Sequence, residues 1–273
     1  MAETKFNDIF RKGSRTYFYS SVFFPKSTKN DVTNLYALVR TVDDFTDQKP
    51  QQPSKVVQYE HDYERAWHGY PTDNEIVTRF VELAKRKNFD YAWGIAFFES
   101  MRMDIARRQY KTLDDTIEYM YGSAEVIGLM MARVLDLPKE AEHAARLLGR
   151  AMQYINFVRD LEEDFELQRQ YFPQKDFSEC GLPSLAENIT TQYQEAFKIF
   201  MARQLERYFV WQREAEEGFK LIPKRLRIPI ITASEMYKWT ATEIQKNPYI
   251  VYQRQMKPSP MRILLQGVIS AFK

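Results

Sequence analysis

The sequence predicts an all-α protein, and three observations carry that prediction. Only 9 of the 273 residues are glycine, about half the usual share of ~7%, too few for the turns of a sandwich, a barrel or a doubly wound sheet. The prolines fall at 25, 50, 53, 71, 138, 173, 183, 223, 229, 248, 258 and 260. They leave 72–137, 139–172 and 184–222 uninterrupted, so long helices there meet no proline to break them. With 44% hydrophobic and 28% charged residues the chain has the composition of a folded domain with a sizeable core. No repeat, low-complexity tract or long linker divides it, and residues 1–273 are read as a single domain.

In chain order, helices are expected over 4–20, 29–46, 54–67, 73–86, 89–108, 112–136, 139–169, 184–216, 229–246 and 259–271. The polar, proline-punctuated run Gln48-Lys49-Pro50-Gln51-Gln52-Pro53 separates the second from the third. Between 112 and 136, Tyr119, Ser123, Val126, Ile127, Met130, Met131 and Val134 recur at helical spacing, with Gly128 among them. So many apolar and small residues place that helix at a bundle centre or along a cavity wall. Cys180-Gly181-Leu182-Pro183 reads as a stop followed by a new start, and Pro223 to Pro229 as a short basic connection.

Charge excludes some functions. Lys plus Arg number 39 against 37 for Asp plus Glu, a net +2, which provides no strong basic field for nucleic acid. The single Cys180 cannot form an intramolecular disulfide, and His61, His68 and His143 are scattered, so no thiolate or imidazole metal site has a recognisable spacing. The amino terminus is too polar for a signal peptide, and no run approaches the ~18 apolar residues that a membrane span needs. A reducing cytoplasm is the default location.

Two carboxylate clusters carry the chemistry. In Tyr36-Ala-Leu-Val-Arg40-Thr-Val-Asp43-Asp44-Phe-Thr-Asp47, Asp43 and Asp47 lie one helical turn apart on one face, with Arg40 just before them and Tyr36 a turn further back, while Asp44 points aside. Like charges at this spacing repel by a few tenths of a kcal/mol, so a cation is expected between them. In Gln153-Tyr-Ile-Asn156-Phe-Val-Arg159-Asp160-Leu-Glu-Glu163-Asp164, the side chains of Asn156, Asp160 and Asp164 rise along one face, flanked by Glu163. One such cluster alone is most often a solvated, salt-bridged face. Here both sit within otherwise apolar helices, where isolated carboxylates are costly. Oxygen ligands without His or Cys suit a hard, water-retaining ion such as Mg²⁺ shared with substrate phosphates.

These motifs resemble those of the squalene/phytoene synthase family, the head-to-head prenyltransferases, from about Ser14 to Arg254. Ser14-Arg15-Thr16-Tyr17 and Phe24-Pro25-Lys26 are similar to the family's opening segment, and Tyr36 to Asp47 to its first aspartate motif. Asn156 to Asp164, followed by Arg169, Tyr171 and Pro173, match its second. Tyr119 to Gly128 look like its central small-residue helix, and Asp104 resembles a position near the site. Two departures stand out: Glu125 replaces a small residue, and Gln168 stands where a Gly usually precedes the Arg.

The resemblance implies an isoprenoid-synthase helical bundle whose aspartate clusters face each other above a deep, central hydrophobic cavity. It implies that Asp43, Asp47, Asn156, Asp160 and Asp164 hold Mg²⁺, with Mn²⁺ as a substitute, bridging two prenyl diphosphates. Arg15, Arg40, Arg159, Arg169 and Arg254 would neutralise diphosphate oxygens, aided by Ser14, Tyr36, Gln153, Tyr171 and Tyr237. Tyr17, Tyr119, Ala124 and Gly128 are expected to line the cavity, where ring faces stabilise a cation and small residues leave room for chains. Within the family the expected reaction joins two geranylgeranyl diphosphates through a cyclopropylcarbinyl diphosphate to phytoene, ending in proton loss without NADPH. The alternative is squalene or dehydrosqualene synthesis from farnesyl diphosphate, and, from another class, a non-catalytic scaffold retaining the fold. Head-to-tail elongation is disfavoured because no Arg-Arg follows Asp47. Met261 to Lys273 is too short to span a bilayer, and apolar enough for transient contact with a membrane surface; packing on the core is the competing expectation. Oligomeric state has no signature in the sequence.

Overall fold

The long apolar stretches fold as helices, and most of the polar runs end them. In a computed structural model, which describes residues 2–106 and 109–272, the helices are α1 (Ala2–Gly13), α2 (Arg15–Ser20), α3 (Lys26–Asp47), α4 (Pro53–Trp67), α5 (Glu75–Arg86), α6 (Tyr91–Ala106), α7 (Leu113–Met120) and α8 (Val126–Val134). They continue with α9 (Glu142–Arg159), α10 (Leu161–Glu166), α11 (Gln174–Cys180), α12 (Glu187–Thr190), α13 (Gln194–Glu216), α14 (Lys224–Lys246), α15 (Ile250–Gln253) and α16 (Pro260–Ser270). Two short strands, β1 (Gln109–Tyr110) and β2 (Gln170–Pro173), pair in parallel. The all-α class is therefore as expected.

Several expected helices are divided. The segment 4–20 breaks at Ser14, which takes an extended backbone and caps α2 by accepting the Tyr17 N–H on its Oγ at 3.2 Å. The segment 112–136 contains a π-helical turn over Tyr121–Glu125, the kind of local bulge common at functional sites. The segment 139–169 opens with a 3₁₀ turn, then breaks at Asp160 and ends at Glu166, so the second carboxylate run is not one continuous helix face. Residues 191–193 separate α12 from α13 within the expected 184–216. At the other extreme, α14 begins at Lys224, and Pro229 sits inside it at its sixth residue; there the missing N–H deprives only the Arg225 carbonyl of a partner. The expected helix 89–108 runs to Ala106, and residues 107 and 108 lie outside the described residues.

Two apolar clusters form the interior. One gathers buried side chains of α1, α3, α4, α5, α6 and α8, the other those of α7, α9, α13, α14 and β2, and Tyr17 on α2 packs against both. An apolar cavity runs along the seam, lined by Phe10, Phe24, Leu35 and Val39 from one side and Leu148, Met152, Ala215 and Ala233 from the other. Gly128 allows its far wall to close: a Cβ there would stand 2.1 Å from the Ala145 carbonyl oxygen, so α8 and α9 pack backbone to backbone. Among the described residues no helix is long and apolar enough to cross a membrane.

Candidate active site

The last turns of α3 place the first cluster at the cavity mouth. Arg40 donates from Nη1 to Asp43 Oδ2 at 2.9 Å and from Nη2 to Asp44 Oδ1 at 2.5 Å. The cation for Asp47 comes from far along the chain: Arg169, buried on β2's approach, donates from Nη1 to Asp47 Oδ1 at 2.7 Å. Its Nη2 also reaches the Thr46 carbonyl at 2.6 Å and its Nε the Asp104 carbonyl at 3.3 Å. The expected counter-cation is thus two arginines, and Arg169 orients Asp47 through a fork that is already filled.

The second cluster surrounds the α9–α10 break. Arg159 grips Asp160 with two donors, Nε to Oδ1 at 2.8 Å and Nη2 to Oδ2 at 2.5 Å. Despite that break, Asn156, Asp160, Glu163 and Asp164 line one cleft with Asp43, Asp47 and Asp104. The cleft also receives Ser14, Arg15, Tyr36, Arg40, Tyr119, Gln153, Arg159, Arg169, Tyr171 and Tyr237, nearly every residue the sequence singled out. Tyr36 and Gln153 line the apolar cavity as well, which joins the two spaces, while Tyr17, Ala124 and Gly128 line the cavity alone. Tyr17 lies between Tyr36 and Tyr237, its ring centroid 6.4 Å from the first and 5.8 Å from the second. These three phenols, all pushed up from their ordinary pKa by burial, collar the passage as neutral rings.

Two placements differ from expectation. Tyr119 forms the cleft floor and not the cavity wall: its hydroxyl donates to Asp104 Oδ2 at 2.8 Å, while Tyr171 donates to Asp104 Oδ1 at 2.7 Å. Arg254 is exposed and lines neither space. Lys12, Gln255 and Lys257, which no motif marked, line the cleft. Gln255 donates to Glu163 Oε2 at 2.5 Å, and burial together with nearby Arg159 pulls Lys257 below the usual lysine pKa. This concentration of cations suits an anionic substrate group.

The donor set fits a hard divalent cation. Asn156 Oδ1 is buried without a partner. Burial and then Asp47 push Asp43 well above the ordinary carboxylate range, and burial and then Asp160 do the same to Asp164; a bound cation would relieve both. Among the described residues no three carboxylate, imidazole or thiolate groups converge as a closed ligand set. The remaining ligands would come from substrate phosphates and water, which is the coordination that Mg²⁺ favours.

The squalene/phytoene synthase family model matches residues 10–262. The chain is 28% identical over 269 residues to the 15-cis-phytoene synthase of Pantoea ananas, covering 93% of this chain and 86% of that protein. It is 26% identical over 267 residues to the chloroplastic phytoene synthase of Narcissus pseudonarcissus, covering 92% of this chain but 61% of the longer plant protein. Among solved structures, a dehydrosqualene synthase in complex with ligand superposes with a TM-score of 0.80 at 21% identity, over 98% of this chain and 94% of that one. A squalene synthase from Alicyclobacillus acidocaldarius gives 0.77 at 21% identity, over 90% and 95%; at such identities these two show the shared fold. With both aspartate motifs in one cleft above an apolar cavity and the family model spanning nearly the whole sequence, the chain belongs to the squalene/phytoene synthase family of head-to-head prenyltransferases.

Proposed function

We propose that this protein is a phytoene synthase, joining two geranylgeranyl diphosphates head to head and ending in proton loss without NADPH. The observation that carries the reading is the continuity of a carboxylate- and guanidinium-lined cleft with an apolar cavity through Tyr36 and Gln153. A prenyl diphosphate has the same division, and the phytoene synthases it resembles over more than nine tenths of its length favour the longer substrate.

Asp43, Asp47, Asn156, Asp160 and Asp164 would hold Mg²⁺, which when bound neutralises the charge that develops on the departing diphosphate. Arg15, Arg40 and Lys257 face the same space and stabilise that charge more than the ground state, because it grows as the carbon–oxygen bond breaks. Arg159 and Arg169 hold Asp160 and Asp47 in place. Below the collar, Tyr17 and the apolar wall exclude water from the allylic cation, and ring faces stabilise it without supplying a nucleophile. The test is product analysis by mass spectrometry with Mg²⁺ and either geranylgeranyl or farnesyl diphosphate, each with and without NADPH. Phytoene from the longer substrate without NADPH is expected. Squalene or dehydrosqualene from the shorter one would replace the substrate assignment, and no diphosphate release from either would point to a non-catalytic scaffold.

A further inference from the structure

Helix α16 has two unlike faces. Ile263, Gly267 and Ser270 are buried, and this face packs on α14 and α2. Contact is close enough that a Cβ on Gly267 would stand 2.0 Å from the Phe23 ring. The opposite face carries Met261, Leu264, Leu265, Val268 and Ile269, continued by Phe272, at the spacing of a helical apolar stripe. They are 38–89% exposed and make up six of the twelve large apolar side chains exposed among the described residues. Among the described residues nothing covers them, and Val22, the chain neighbour of Phe23, is exposed too.

Charge identifies the occupant. From Glu243 to Lys273 the sequence has Lys246, Arg254, Lys257, Arg262 and Lys273 against one acid, Glu243. Glu243 pairs with Lys246 at 2.8 Å and Lys257 faces the cleft, which among the described residues leaves Arg254 and Arg262 as the basic groups of this surface. Arg262 lies 4.6 Å from the Trp239 ring centroid, placing a cation beside the stripe. An apolar helical face within a segment of net positive charge is complementary to an anionic lipid surface. A second copy fits less well, because a two-fold contact brings each face against its own like and the basic groups would meet one another. The location also has a use: α2 and α14, on which α16 rests, supply Tyr17, Ser20, Ile230 and Ala233 to the cavity wall.

We propose that α16 docks the protein on an anionic lipid bilayer, with its apolar stripe in the acyl boundary and Arg254 and Arg262 among the headgroups. The cavity wall formed by α2 and α14 then lies next to the membrane, where a hydrocarbon product must go. This inference rests on the proposed function for that purpose, but not for the docking itself.

The experiment floats the full chain with phosphatidylcholine vesicles, with and without phosphatidylglycerol, in the absence of substrate. Flotation is expected with the anionic vesicles, weakened by salt, and the double variant Leu265→Glu/Val268→Glu should lower it at least about tenfold. The same variant should release diphosphate from detergent-dispersed substrate at the wild-type rate, since neither residue lines the cleft or the cavity. Equal flotation of variant and wild type would overturn the proposal, as would equal binding to both kinds of vesicle. A wild-type dimer that the substitutions convert to monomer would assign the face to a second copy instead. Intact, charge-dependent flotation with no product from either protein would support the docking surface while removing the proposed activity.

Discussion

Asp104→Asn tests the electrostatics beneath the two carboxylate clusters. Burial raises the Asp104 pKa from its ordinary 3.8 to about 6, against the opposing pull of Arg169 and of the two phenol hydrogen bonds. Between those values the folded chain holds a proton that the unfolded chain has released. This group's contribution to stability is therefore fully present below pH 3.8, declines as pH rises, and is gone above about 6. The whole displacement corresponds to on the order of 3 kcal/mol, of which somewhat under half remains at about pH 5. An amide at this position cannot titrate, yet its oxygen can still accept from one phenol. The stability difference between wild type and variant should thus move by on the order of 1 kcal/mol between about pH 5 and pH 8, with wild type favoured at the acid end. Neighbours reinforce the sign, since Asp104 contributes to the raised pKa of Asp43 and of Asp164, and removing its charge relieves both at high pH. Urea unfolding followed by circular dichroism, in chelator across that range, measures the difference. A difference that stays constant with pH, or that favours wild type at the alkaline end, would refute the reasoning.

Other substitutions test other parts of the argument. Gln168 has a φ of 58° and an exposed side chain, so Gln168→Gly should stabilise the fold by about 0.5–1 kcal/mol, the relief of a left-handed residue less the added freedom of the unfolded chain; a lower urea midpoint would contradict this. Gly128→Ala should cost about 2–3 kcal/mol, because backbone must yield to the new methyl, and an unchanged melting temperature would deny the α8–α9 contact that role. Asp43→Asn and Asp160→Asn should each reduce turnover by at least about a thousandfold while leaving helical circular dichroism intact. Retained turnover by both would remove the metal assignment.

What the sequence revealed depended on how local the cause was. Asp43, Asp47 and Tyr36 share one unbroken helix, so a 3.6-residue period was enough to align them. The break at Asp160 carried a weaker signal: Arg159-Asp160-Leu161 contains neither Gly nor Pro, and only an Asp followed three residues later by Glu163 hints at a new helix start. β2 was equally hidden: four residues carry no usable period, and their partner, β1, lies about sixty residues earlier in the chain. Pro229 misled through a sound local rule, because helix-breaking was offset by packing along the cavity. Gln168 was legible in part. Its departure from a motif Gly marked the position, and the positive φ gives the physical reason that Gly is usual there. Glu125, the other departure, is fully buried and bonded to Arg146 Nε at 2.9 Å and Arg150 Nε at 2.7 Å. The charge replaces a small residue because α9 supplies two guanidinium groups to satisfy it.

The helix interruptions at Ser14, at the π turn and between Asp160 and Arg169 lie around the site, and the site depends on them. An unbroken helix satisfies its own main-chain polar groups and fixes where each side chain points. At Ser14 the break places a capping hydroxyl beside the cleft. At the π turn, α7 hands over to α8, and the Tyr119 carbonyl takes the Ser100 hydroxyl at 2.8 Å. The left-handed turn at Gln168 has the largest consequence. It directs the Arg169 main-chain N–H to the Asp164 carbonyl at 2.9 Å while its guanidinium reaches Asp47 and Thr46 at the end of α3. A single residue thereby ties the second carboxylate cluster to the first across 122 positions of sequence. Lysine could not serve there, because one ammonium cannot reproduce a planar fork engaged on three acceptors in fixed directions. The spacing between the clusters is therefore set by a hydrogen-bonded strut inside the protein, through Arg169 to Asp47 and to the Asp164 carbonyl.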